Sequence, residues 1–157
     1  MSRLAIPADR SAIEAAIPHR APFLFVDRVL ELDPASIRTE WRVPPEAPWF
    51  AGHYPGQPVT PGVLICEHCL QSGALFVSDA LSGFKSEDGV PVLTRLELAR
   101  FRRMVLPGET LSTRVELVER VGPAWFLKAK VTSGGQRVLE LSFVLRATGA
   151  MGKSGAC

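Results

Sequence analysis

The strongest constraint in this chain is a stiff loop that runs straight into an apolar helix. The loop is Phe50-Ala-Gly-His-Tyr-Pro-Gly-Gln-Pro-Val-Thr-Pro-Gly62. Val63-Leu-Ile-Cys-Glu-His-Cys-Leu-Gln-Ser-Gly-Ala-Leu-Phe-Val77 follows it and reads as one helix. Pro55, Pro58 and Pro61 restrict the loop backbone, while Gly52, Gly56 and Gly62 loosen it. A helix that is apolar on nearly every side has to be buried. Two ionisable groups interrupt the pattern: His53 in the loop and Glu67 in the helix. The remaining chain is expected to wrap the helix and to leave a dry slot between these two side chains.

The flanking segments supply the wrapping. Ser11 and Glu14 have the spacing of a capping box, so a short helix is expected there, stopped by Pro18. Pro22 biases Ala21 toward extended backbone, and the Phe/Val/Leu-rich run to Leu30 predicts a strand. Asp33-Pro34 turns the chain. From Ser36 to Val43 the residues alternate, with Ile37, Thr39, Trp41 and Val43 on one face. Beyond the helix, 82–89 reads as a polar turn. Long strand patterns follow over Val92–Met104, Thr110–Val121, Trp125–Val131 and Val138–Ala147, with Gly134-Gly135 as a hairpin turn. Strands joined this tightly make an antiparallel sheet. The expected class is therefore α+β, a curved antiparallel sheet around one long central helix. Its edge strands and one helix flank stay uncovered, which predicts oligomers.

Composition narrows the setting. A chain of 157 residues is expected to form one domain, here 1–148, with a small, polar, disordered tail over 149–157. The net charge of +2 gives no global field for nucleic acid. No apolar run suggests a signal peptide or a membrane span, and the three cysteines do not suggest a disulfide framework. A reduced, cytoplasmic protein is expected.

The start of the central helix has chemistry of its own. Thr60 is expected as its N-cap, with Pro61 in the first turn. Gly62 lets another molecule approach the backbone, and free N–H groups there suit a carbonyl oxygen that gains negative charge. Glu67 and Gln71 share a helix face. Carboxylates inside apolar helices are rare unless paired or used, and a carboxyl kept dry can serve as an acid near neutral pH. The plainer alternatives are a solvated Glu67/Gln71 stripe and a structural loop histidine at position 53.

Gly52-His-Tyr-Pro-Gly-Gln-Pro-Val-Thr-Pro-Gly-Val-Leu-Ile-Cys-Glu67 resembles the active-site signature of the (3R)-hydroxyacyl-acyl carrier protein dehydratases of fatty acid synthesis. Pro18-His-Arg-Ala-Pro-Phe-Leu-Phe-Val-Asp-Arg28 resembles the N-terminal motif of that family, and Ala99-Arg-Phe-Arg-Arg-Met-Val-Leu-Pro-Gly-Glu-Thr-Leu111 its strand and turn after the helix. The resemblance implies the hotdog fold. It implies His53 as the general base at C2 of a 3-hydroxyacyl thioester, Glu67 as the acid for the departing C3 hydroxyl, and the Gly62 N–H as the donor to the thioester carbonyl. Gln71 would hold Glu67 or the released water. Glu at position 67 matches the dehydrating branch of the family, because the branch that also isomerises carries Asp. The implied partners are acyl carrier protein and a second copy of the chain. The two catalytic side chains of one site would come from different subunits, and dimers would assemble further as trimers of dimers. The reaction would need no metal or nucleotide cofactor.

Gln57, Thr60, Cys66, His68 and Cys69 depart from the residues usual in that family and lie beside the slot. Cys66 and Cys69 form a C-x-x-C, but more than a turn inside the helix, so buried thiols are expected rather than a redox or metal site. His19 either lines the slot mouth, as the resemblance implies, or caps the chain before Pro22. Arg100, Arg102 and Arg103 form a basic cluster: either a solvated strand face or a landing patch for an acidic carrier protein and its phosphopantetheine. Alternation puts Arg100 and Arg102 on one face and Arg103 on the other. The rival functions are an acyl thioesterase on the same fold and a non-catalytic acyl-thioester-binding protein.

Overall fold

The computed structural model describes residues 4–83 and 90–148. In order, its elements are α1 (Arg10–Ala16), β1 (Arg28–Asp33), β2 (Ser36–Arg42), a 3-10 turn (Pro48–Ala51), α2 (Gly62–Ala80), β3 (Pro91–Phe101), β4 (Thr110–Val121), β5 (Ala124–Ser133) and β6 (Gln136–Ala147). The strands form one six-stranded sheet in the order β1-β2-β4-β5-β6-β3. Every pairing is antiparallel, and register shifts with an extra residue in β1, β3, β4 and β6 bend the sheet around α2.

The inward faces follow from alternation. Ile37, Thr39, Trp41 and Val43 are all buried. Trp125, Leu127, Ala129, Val131 and Ser133 alternate inward along β5 in the same way. Gly134 and Gly135 both take positive φ, 55° and 76°, as a tight hairpin between twisted strands requires. The second half of α2, from Gln71 through Ser78, is buried on every side. Gly73 is where helix and sheet touch: a Cβ there would lie 2.9 Å from Phe143 Cε2 and 3.0 Å from Leu127 Cδ1. Among the described residues, no helix is long and apolar enough to cross a membrane.

Four local expectations need correction. The cap of α1 is Asp9, whose carboxylate accepts from the Ala12 N–H, and Ser11 and Glu14 lie inside the helix. Thr60 does not cap α2: Pro61 holds that position without a side-chain hydrogen bond, and the Thr60 hydroxyl is buried without a partner in the described structure. The run from Pro22 does not reach sheet geometry until Arg28. At Phe23 and Phe25 its backbone is satisfied by a side chain of α2 instead of a neighbouring strand: Gln71 accepts from the Phe25 N–H and donates to the Phe23 carbonyl. Finally, β3 ends at Phe101, short of Met104. The tail 149–157 and positions 84–89 of the expected polar turn lie outside the described residues.

Candidate active site

The loop before α2 is built to fix one imidazole. The 3-10 turn receives the His53 N–H at the Trp49 carbonyl, 2.8 Å away. A tight turn follows, with Tyr54 and Gly56 at positive φ and the Gln57 N–H on the Tyr54 carbonyl. The Thr60 N–H then binds the Val105 carbonyl, which pins the end of the loop to the segment after β3. Within this frame His53 Nδ1 lies 2.8 Å from the Val59 carbonyl. A carbonyl can only accept, so Nδ1 carries the hydrogen and, in the neutral ring, Nε2 keeps its lone pair. The edge of the Tyr54 ring packs against the imidazole.

His53 lines a groove of about 910 Å³ together with Thr60, Gly62, Ile65, Phe101 and Val105. Its walls are largely apolar. The Gly62 N–H opens α2 and has no partner among the described residues, as expected of a first-turn amide. A Cβ on Gly62 would sit 2.9 Å from Phe101 Cε1, so the Phe101 ring lies directly on the helix start. A side chain at this position would have to push the Phe101 ring aside.

Glu67 does not enter that groove. Successive helical residues are about 100° apart, so Glu67 projects about 140° away from Gly62. Its Oε1 accepts from Gln71 Nε2 at 3.0 Å and lies 3.8 Å from His19 Nε2. Burial holds the His19 imidazole below its ordinary pKa, partly offset by the Glu67 carboxylate. The slot expected between His53 and Glu67 is therefore not closed within one chain. The structure instead brings together two half-sites: His53 with Gly62, and Glu67 with Gln71 and His19.

Behind Glu67 lies a polar cluster whose connections the sequence did not reveal. His68 is fully buried, with Nδ1 2.6 Å from the Phe25 carbonyl and Nε2 2.8 Å from Thr113 Oγ1. Burial lowers its pKa to about 4. Ser72 donates to the His68 carbonyl, and Thr39 bonds to Ser72. The available signal was threonine at inward positions of two strands, Thr39 and Thr113, opposite a histidine in an apolar helix. The thiols of Cys66 and Cys69 are free and are both pushed up in pKa by burial.

The arginine cluster divides. Arg103 forms a bidentate pair with Glu109 (3.1 and 2.7 Å) and also donates to the Met104 and Ser133 carbonyls. Its hydrogen bonds hold the Glu109 carboxyl down at a pKa of about 2. Arg103 is thus committed to clamping the turn before β4. Arg102 lies 3.7 Å from Glu140 at the groove mouth, and Arg100 has no ion-pair partner among the described residues.

A curved antiparallel sheet wrapped around one long helix, with a polar loop at the helix start, is the architecture of a hotdog-fold protein. Solved structures agree. The dehydratase heterocomplex ApeI:P from Xenorhabdus doucetiae superposes with a TM-score of 0.73 at 12% identity, covering 91% of each chain. A hypothetical thioesterase with coenzyme A from Streptococcus pneumoniae superposes with a TM-score of 0.60 at 14% identity, covering 78% of this chain and 85% of that one. Residues 17–142 match the FabA-like domain family, and the chain belongs to it. Among its relatives is the 3-hydroxyacyl-(acyl-carrier-protein) dehydratase FabZ of Anaeromyxobacter sp. (strain Fw109-5), 40% identical over 138 residues and 87% of both chains. The protein of the same name from Myxococcus xanthus is 42% identical over 134 residues, covering 82% of this chain and 84% of the relative.

Proposed function

We propose that this protein eliminates water from (3R)-3-hydroxyacyl thioesters through His53 and Glu67. It is a hydro-lyase of the 3-hydroxyacyl-(acyl-carrier-protein) dehydratase type, acting in fatty acid biosynthesis. The observation that carries the mechanism is the hydrogen bond from His53 to the Val59 carbonyl, which leaves Nε2 free as a base beside the unpaired Gly62 N–H. In the proposed sequence Nε2 removes the C2 proton. The charge that develops on the thioester oxygen is met by the Gly62 N–H at the positive end of α2. The electrons then form the C2–C3 double bond, and the hydroxyl leaves with a proton from Glu67. Each proton has a named donor or acceptor on the chain, so no step calls for a metal or nucleotide.

The site is completed by a second copy. Two observations support this: His53 and Glu67 occupy separate half-sites in one chain, and β3 is an edge strand paired only with β6. Leu93, Leu96, Leu98 and Phe101 on β3 are each 45–49% exposed. A long edge with so much apolar surface needs a partner, and trimers of dimers would extend the same arrangement. Arg100, without an ion-pair partner among the described residues, and Arg102, only 3.7 Å from Glu140 beside the groove, are the cations that would meet an acidic carrier protein and its phosphopantetheine phosphate, whereas Arg103 is held by Glu109. With 3-hydroxybutyryl-acyl carrier protein, wild type should release enoyl thioester. His53→Ala and Glu67→Gln should each lose about 100-fold or more in kcat. Wild-type turnover no greater than that of His53→Ala, or release of free thiol in place of enoyl product, would refute the assignment.

A further inference from the structure

Buried polar groups connect β4 to Glu67 along a single path. Thr113 faces His68 Nε2 at 2.8 Å, and His68 Nδ1 faces the Phe25 carbonyl at 2.6 Å. The Phe25 N–H donates to Gln71 Oε1 at 2.8 Å, and Gln71 Nε2 donates to Glu67 Oε1 at 3.0 Å. Directions follow from the fixed ends. The Phe25 carbonyl can only accept, so His68 is the Nδ1–H tautomer and its Nε2 accepts the Thr113 hydroxyl hydrogen. The Phe25 N–H can only donate, so the Gln71 amide must present its oxygen to Phe25 and its NH₂ to Glu67. One carboxylate oxygen, Oε1, is therefore held from behind, while Oε2 has no partner among the described residues.

We infer that His68 is a positioning residue for Glu67, acting through Phe25 and Gln71. The inference rests on the reading of Glu67 as the acid. Three features separate it from ordinary core packing. His68 is fully buried yet uses both ring nitrogens in hydrogen bonds. The backbone it grips belongs to the irregular segment before β1, which has no sheet neighbour at Phe25 to hold it. The next group on the path, Gln71, has all of its bonds committed to that segment and to Glu67. If the His68 bond is lost, the Phe25 backbone is free to shift, and the Gln71 amide loses the anchor that orients it. An acid misplaced by about 1 Å loses catalysis steeply while substrate binding is spared.

The test pairs a crystal structure with kinetics for His68→Leu and His68→Asn. Leucine fills the volume without hydrogen bonds, whereas asparagine keeps an N–H near the position of Nδ1. In His68→Leu the Gln71–Glu67 contact should open beyond hydrogen-bond reach. Its kcat should fall about 10-fold or more, with KM changed by less than about 2-fold. His68→Asn should restore the contact and most of kcat. An intact Gln71–Glu67 contact in His68→Leu overturns the inference whatever the activity, and so does a broken contact with unchanged kcat. Were wild type to show no dehydration, the assigned reaction would fall, and the crystal structure alone would still decide whether His68 positions Glu67. Should His68→Leu not fold, Thr113→Val carries the same test, because it removes the donor to Nε2 at nearly constant volume.

Discussion

Two histidines in this chain face carbonyl oxygens through Nδ1, and their surroundings give them opposite duties. His53 donates to Val59 from a half-buried loop and keeps Nε2 open to a groove. His68 donates to Phe25 from full burial and gives Nε2 to Thr113. The second arrangement leaves a mark on stability. Burial holds His68 at a pKa of about 4, against 6.5 for an ordinary histidine. Between those values the unfolded chain binds a proton that the folded chain refuses, so stability falls as pH drops from 6.5 toward 4. The loss amounts to about 3 kcal/mol once pH is below both values. Urea unfolding of wild type and His68→Asn across that range should show the difference, because asparagine does not titrate while all carboxylates are shared. Parallel pH curves for the two proteins would contradict the buried, neutral imidazole.

At the scale of elements, the helix and sheet meet through a glycine. A methyl group at Gly73 would press against Phe143 and Leu127 from within 3.0 Å. Both are buried in the close-packed core. Gly73→Ala should therefore lower stability by about 1–3 kcal/mol in denaturant unfolding despite alanine's better helix propensity. A stabilised variant would mean that α2 does not rest on β5 and β6 as described. These elements were largely legible in the sequence. β2 and β5 alternate over most of their length, and the limits of β2, β4, β5 and β6 lie within two residues of those read from the pattern. The apolar helix announced its own burial. The segment from Pro22 to Val26 was misread as strand because the groups that hold its Phe23 and Phe25 backbone, Gln71 and His68, lie on α2 more than 40 residues away. Local propensity carries no trace of such a partner. Arg103 is bonded to Glu109 and Ser133 across a turn and a strand, contacts that charge patterning alone does not signal.

For the whole molecule, the candidate residues could be named from the sequence, but their division between two places on the chain was not visible in spacing alone. One chain presents His53 and Gly62 in a groove and turns Glu67 toward His19 and Gln71 on another side of the helix. It also leaves β3 as an apolar edge. The second copy proposed across that edge would answer both facts at once, and a site shared between chains makes a quantitative demand. In a mixed dimer of His53→Ala and Glu67→Gln, one site holds both lesions and the other holds neither. The decisive measurement is dehydratase activity after the two inactive variants are denatured together and refolded as a mixture. Random pairing places half of the dimers in the mixed form with one intact site each, so activity should return to about one quarter of wild type. No recovery, with mixed dimers verified by differently tagged chains, would contradict a catalytic site built from His53 of one copy and Glu67 of the other.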